Sequence, residues 1–291
     1  MRPSVTGERR VPGDLESDAA LLERLWRVTV ATWSLYATRA GGRIIEESGV
    51  AYLIGSDPTP VIVNSVFRVA AGVGPEHLLR RSRELYGSIG HDFSLVTNDH
   101  ADSDLVAAAL ASGWSRVLSL PAMVCSSRLE ERGLPPGCSI RRADPIRDID
   151  AVRVLARDGF ASDDDERAAA NNVFAKPRAL GDTTTRAAIA SVDGQDVATA
   201  IVDVIDGMGY VGWVGTLPTY RRQGLGEAVT RFVTNAAFDL GADVVALEAS
   251  PMGLPLYERM GFETVGIDAI WAPPTNDRAP GSSEDDPARR A

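Results

Sequence analysis

The sequence predicts an α/β protein built from two related units in tandem, and three observations lead there. Short strand-like apolar runs alternate with longer amphipathic ones along most of the chain, which places strands and helices in layers around a sheet. After the third strand of each half the order is the same: strand, turn, helix, strand, helix, strand. Between the halves, Arg128 to Gly137 carries Glu130, Glu131, Gly133, Pro135, Pro136 and Gly137, which breaks both periodicities and reads as a linker. Length agrees, because 291 residues suit two domains that each bury a core.

The first half opens with an apolar-periodic helix over Asp18 to Thr38. Strands are expected near Arg43 to Glu47, Val50 to Ile54 and Val61 to Phe67, then a helix from Pro75 to Tyr86. A strand at Phe93 to Thr97, a helix at Ser103 to Ala111 and a strand at Val117 to Val124 close that half. The second half starts with a strand at Cys138 to Arg142, a helix at Ile146 to Arg157 and a loop and helix around Asp163 to Phe174. Strands at Arg186 to Val192, Ala198 to Ile205 and Tyr210 to Thr216 follow. Helix Gly224 to Leu240, strand Asp243 to Ala249, helix Leu254 to Met260 and a strand from Glu263 to Trp271 complete it. The ends, 1–18 and 274–291, lack periodicity and read as disordered tails, so the folded units are expected at 19–127 and 138–273, joined by the linker 128–137.

Composition excludes several classes. No uncharged apolar run reaches the roughly 18 residues that a membrane helix needs, and the N-terminus has no apolar segment of the secretory kind. With Cys125 and Cys138 as the only cysteines, a reducing cytoplasm is expected, with both as thiols. A net charge of −10 argues against nucleic acid or anionic lipid as partner and favours a cationic small molecule or a basic peptide. His77, His91 and His100 fall at spacings unlike a metal site, and no metal is expected.

The stretch that bears most on function is Arg221-Arg222-Gln223-Gly224-Leu225-Gly226, set between a strand and a helix. A helix start exposes backbone N–H groups at the positive end of its dipole, and glycines let an anion approach them. The plain alternative is a turn whose glycines serve packing. Gly212 and Gly215 in the preceding strand mark a bulge or a close backbone approach. In the first half the matching turn is Val69-Ala70-Ala71-Gly72-Val73-Gly74, which opens without a polar residue, and Pro75 removes one N–H from the following helix. Downstream, Leu256-Tyr257-Glu258-Arg259-Met260-Gly261-Phe262 is a short helix ended by a glycine cap.

With both motifs in view, the second half resembles the GNAT superfamily of N-acetyltransferases over about Cys138 to Trp271. The family's Q/R-x-x-G-x-G/A loop is matched by Arg221, Gly224 and Gly226, its V-x-P-x-Y-R pattern by Thr216, Pro218, Tyr220 and Arg221, and its L-Y-E-K-L-G-F pattern by Leu256 to Phe262. The resemblance implies two tandem GNAT-like domains, each a mixed, mostly antiparallel sheet flanked by helices, the N-terminal one degenerate. It implies acetyl-CoA as co-substrate, with its pyrophosphate on the main chain of Arg222, Gln223, Gly224, Leu225, Gly226 and Glu227, and its pantetheine arm along Val214, Gly215 and Thr216.

In such a family Tyr257 supplies the proton for the departing thiolate. Glu248, at the end of the strand beside the channel, is the candidate base, with water-mediated deprotonation as the rival. The family often has Asn where this chain has Ser250, so that coenzyme contact is expected to be weaker or absent. Counting back from Gly113 puts Ala109 at the tyrosine position of the first half, which therefore lacks the acid as well as the loop. The acidic run Ser162 to Glu166 most simply complements a helix dipole, with attraction of a cationic acceptor as the alternative. The resulting expectation is an N-acetyltransferase acting on a small-molecule amine, compatible with a homodimer. Its rivals are a non-catalytic acyl-CoA sensor or interaction module and a protein or peptide N-acetyltransferase.

Overall fold

A computed structural model describes residues 18–60, 62–160 and 164–274. The expected tails therefore lie almost wholly outside the described residues. The chain runs α1 (Asp18–Arg39), β1 (Arg43–Glu47), β2 (Val50–Ile54), β3 (Ser65–Arg68), α2 (Pro75–Ile89), β4 (Ser94–Asn98), α3 (Ser103–Ala111) and β5 (Ser115–Cys125). The second half runs β6 (Cys138–Arg142), α4 (Ile149–Leu155), α5 (Asp164–Val173), β7 (Thr185–Val192), β8 (Gln195–Ile205), β9 (Met208–Thr216), α6 (Leu225–Asp239), β10 (Val244–Glu248), α7 (Leu254–Met260) and β11 (Glu263–Ala272).

The sheets of the two halves are continuous. One 11-stranded sheet has the order β1-β2-β3-β4-β11-β5-β10-β9-β8-β7-β6. Each half gives its last strand to the other: β11 pairs antiparallel with β4, and β5 pairs antiparallel with β10. The two exchanged strands also pair with each other from Glu263↔Val124 to Ala272↔Ser115, so an approximate two-fold relation passes between them. Parallel pairs occur only at β3–β4 and β9–β10 among the described strands, the equivalent positions of the two halves.

Helices cover both faces, which is why β2 and β4 are buried along their whole length. On one face α6 and α7 pack over the second half and α2 and α3 over the first, with separate cores around Val229 and Val233 and around Leu78 and Tyr86. The other face carries α4 and α5, and α1 lies across the middle. Trp26 and Trp33 of α1 pack with Leu53 and Phe67 of the first half, while Leu25 and Val28 pack with Tyr210 and Ala246 of the second. At its end Arg39 donates to Asp203 Oδ1 at 2.7 Å and to Thr185 Oγ1 at 2.8 Å, a buried bond set that closes α1 onto β7 and β8.

Two expectations shift. The third strand forms at Ser65–Arg68, because Ile62 is left-handed with φ 57 and packs towards α4 and α5; Val61 lies outside the described residues. The helix expected from Ile146 begins later, since Asp144 Oδ1 accepts the N–H groups of Ile146 and Arg147 in a turn. It then widens into a π-helical turn over Ala156–Phe160, where Gly159 meets β9 so closely that a Cβ would stand 2.8 Å from the Thr216 nitrogen.

Candidate active site

The site begins where β9 and β10 part. Their parallel pairing runs from Met208↔Val244 to Val211↔Leu247 and stops. β10 stays with β5, through Glu248↔Ala122 and the Ala249 N–H to the Pro121 carbonyl at 2.9 Å. β9 stays with β8, through Thr199↔Gly215 and Ala198↔Thr216, after a register shift that leaves Trp213 at φ 55. The bulge turns β9 away and leaves the edge of Val214, Gly215 and Thr216 without a partner strand on the β10 side. Gly212 and Gly215 have the roles their sequence position suggested. A Cβ at Gly212 would stand 2.7 Å from the Tyr36 hydroxyl, and one at Gly215 would stand 2.7 Å from the Leu155 carbonyl.

The glycine turn follows directly. A 3₁₀ turn over Pro218–Tyr220 leads to Arg222 at φ 60 and Gly224 at φ 81, both left-handed, and α6 starts at Leu225. Among the described residues, the N–H groups of Arg222 to Glu227 make no hydrogen bond. Alternating backbone hands of this kind turn successive N–H groups to one side, as in main-chain anion nests. Side chains hold the turn in place. Arg221 donates through Nε to the Thr216 carbonyl at 3.1 Å and through Nη2 to the Gly159 carbonyl at 3.2 Å. Gln223 donates to the Thr219 carbonyl at 3.4 Å, and Glu227 accepts from Arg231 and Arg132. The side chains of Arg221, Gln223 and Glu227 are thus engaged in the protein, and the main chain is what faces outward.

Packing does not account for both glycines. Gly224 is required by its positive φ. At Gly226 a Cβ would make only ordinary contacts, 3.5 Å to Thr216 Oγ1 and 3.9 Å to Leu256 Cδ2. A side chain there would start between Thr216 at the end of β9 and Leu256 of α7.

Tyr257 sits in α7, buried beside Leu225 in the same core and tilted against Phe262 with ring centroids 6.0 Å apart. Gly261 at φ 94 ends that helix, and the Phe262 N–H returns to the Tyr257 carbonyl at 3.0 Å. Burial pushes the Tyr257 hydroxyl up to about 12, so it keeps its proton at neutral pH. Ser250 is spent locally, its Oγ accepting the Gly253 N–H at 3.1 Å where α7 begins.

Glu248 lies on the α1 side of the sheet at the point of divergence. Tyr210 donates to its Oε2 at 2.5 Å, and Trp33 of α1 lies beside it. Burial raises its carboxyl above the usual range, and the bond from Tyr210 works the other way. Asp268 of β11 is a second buried acid beside it, raised well above its ordinary value by burial and then by the Glu248 charge. α1 also brings Tyr36, whose hydroxyl is buried against Gly212 and whose ring meets Trp213 at 5.6 Å.

Residues 184–264, from the approach to β7 to the first residues of β11, match the family model described as Acetyltransferase (GNAT) domain. Over these residues the chain is similar to GNAT acetyltransferase domains. Its fold is shared with a GCN5-related N-acetyltransferase from Kribbella flavida, 21% identical with a TM-score of 0.67, over 85% of this chain and 96% of that one. A GCN5-related N-acetyltransferase from Sphaerobacter thermophilus is 17% identical with a TM-score of 0.57, over 77% and 76% of the two chains. A tandem GNAT protein from the clavulanic acid biosynthesis pathway is 16% identical with a TM-score of 0.52, over 78% and 80%. No curated protein sequence matches the chain.

Outside the GNAT match, the first half fills the equivalent opening. β3 and β4 part after Phe67↔Val96, and Arg68 enters the gap. Its Nε donates to Asp102 Oδ1 at 2.8 Å and its Nη2 to Asp104 Oδ1 at 2.7 Å, while Asp102 Oδ2 accepts from the main chain and side chain of Asn98. Gly74, which precedes α2 as Gly224 precedes α6, has φ −65 and is followed by Pro75. The Trp114 N–H returns to the Ala109 carbonyl at 3.0 Å, as Phe262 does to Tyr257, so Ala109 does occupy the tyrosine position. Of the acidic run, Ser162 and Asp163 lie outside the described residues, and Asp164, Asp165 and Glu166 form the first turn of α5.

Sequence reasoning missed Tyr36, Arg68, Tyr210 and Asp268. Asp268 had a signal, a single acid inside the apolar strand run Gly266 to Trp271. Tyr36 had none, since only tertiary folding brings α1 to β9.

Proposed function

We propose that the second half transfers an acetyl or other short acyl group from coenzyme A to the amine of a small molecule. The observation that carries this is the continuity of three features: the unpaired edge of Val214 to Thr216, the free N–H groups of Arg222 to Glu227, and the protonated Tyr257 at the neighbouring helix. The turn suits a pyrophosphate because main-chain donors at a helix start meet its charge. The strand edge suits the amide-bearing pantetheine arm, which pairs as a further strand does. Acetyl-CoA supplies the activated acyl carbon and a thiolate leaving group. The chain's part is to align the amine, take one proton from it and return one to sulfur. Glu248, held by Tyr210, takes the amine proton; Tyr257 gives its proton to the thiolate and is reprotonated from solvent.

The first half reads as a degenerate unit, its cleft filled by Arg68, that serves the second. Its α1 lies over the point where β9 and β10 part, which favours a small acceptor over an extended peptide. Calorimetry with acetyl-CoA and thiol release in the presence of an amine panel test the proposal together. Binding with amine-dependent release supports transfer. Binding without release from any amine supports the sensor reading, and no binding overturns both.

A further inference from the structure

Asp268 has no part in that mechanism, yet it is buried beside the proposed base. β5 alone separates its strand from β10: Asp268 pairs with Leu120, Gly266 with Ala122, and Ala122 with Glu248 on the other edge. The small residues Ala122 and Gly266 leave room above the strand, and the register puts both carboxyls on this one face as close neighbours. Two buried carboxyls side by side disfavour double ionisation, which favours one proton held between them. The same proton resolves a second fact. Glu248 Oε1 is buried with no conventional donor among the described residues, whereas Oε2 has Tyr210. The groups facing the pair are Tyr210 from β9, Tyr36 and Trp33 from α1, and Asp99 and Asp102 from the first half, which add negative charge around Asp268. Beside Asp268 is a cavity of about 10 Å³, enough for about one water, walled in part by Trp26, Ala122, Gly266 and the exposed His100.

We propose that Asp268, on the strand exchanged between the halves, shares one proton with Glu248 and passes the amine proton from Glu248 through this cavity to solvent. The inference rests on the acyl-transfer reading. As the N–C bond forms, the amine gives a proton to Glu248. The shared proton then settles on Asp268, which releases it to water in the cavity, and the pair returns to one proton with no change of oxidation state. Asp268 acts through Glu248 and is a positioning residue.

The test uses the full chain with carboxyl-labelled Asp and Glu followed by NMR against pH. One Asp–Glu pair should titrate in two separated steps and still hold a proton where exposed carboxylates are ionised. Asp268→Asn should collapse the two steps into a single Glu248 step that stays raised by burial and is no lower than the first step of the wild-type pair. With acetyl-CoA and the most active amine of the panel, Asp268→Asn should lower kcat at least about tenfold at neutral pH and move the acid limb of the pH profile up, with acetyl-CoA affinity unchanged. Should Asp268→Asn fail to fold, Glu248→Gln should lower the Asp268 titration instead. Ordinary carboxylate titration of both acids, or an unchanged kcat and acid limb in Asp268→Asn, overturns the relay. A wild type that titrates as described but releases no thiol with any amine overturns the acyl-transfer reading, and the relay with it.

Discussion

Replacing Gly226 separates a ligand-binding turn from a packing turn. A Cβ at this position would lie 3.5 Å from Thr216 Oγ1 and 3.9 Å from Leu256 Cδ2, so Gly226→Ala meets no clash and removes unfolded-state freedom from the first turn of α6. That change should stabilise the fold by about 0.4–1 kcal/mol. Gly226→Leu puts a bulky side chain in the first turn of α6, beside Thr216, where the coenzyme is proposed to bind. Loss of one charge-assisted hydrogen bond costs about 1.5–3 kcal/mol, which is roughly 10- to 150-fold in Kd. Isothermal titration calorimetry with acetyl-CoA, read beside thermal unfolding, measures both quantities. The expected pattern is wild-type or better stability for alanine and much weaker binding for leucine in a folded protein. Wild-type affinity in folded Gly226→Leu would refute the placement of the pyrophosphate.

Other perturbations address the remaining parts of the site. Tyr257→Phe keeps the ring against Phe262 and removes the proton, so kcat should fall about 10²–10⁴-fold with acetyl-CoA affinity unchanged; equal turnover takes Tyr257 out of the mechanism. Arg68→Ala strips the cation from buried Asp102 and should destabilise by about 3–5 kcal/mol in denaturant unfolding without altering acetyl-CoA binding, whereas near-wild-type stability would contradict the filled-cleft description. Glu248 and Asp268 both have raised carboxyls, so the folded state keeps protons that the unfolded chain releases. Their contribution is present in full below the unfolded carboxyl range and is lost as pH rises through the folded values. Asp268→Asn should therefore lose less stability than wild type between about pH 5 and pH 8, and a steeper loss would contradict the assignment.

Much of the site was legible because it is local. The strand, turn and helix around Gly224, and the helix ended by Gly261, are fixed by glycine geometry and short spacing. The absence of a tyrosine at Ala109 followed from the same count. What sequence could not carry is which strands meet. The apolar runs of β5 and β11 look alike whether each pairs within its own half or across, so the exchange and the single sheet it creates had no local signature. Arg68 reads as an ordinary strand-end cation until Asp102 and Asp104 close on it from another loop. The same holds for α1, whose apolar stripe promised burial but not that Trp33 and Tyr36 would lie over Glu248 and Gly212.

Acyl transfer is tested most directly by release of free thiol from acetyl-CoA by the full chain with and without a panel of small amines. Release should depend on an amine, saturate in acetyl-CoA and fall in Tyr257→Phe. Saturable binding of acetyl-CoA with no amine-dependent release would contradict acyl transfer.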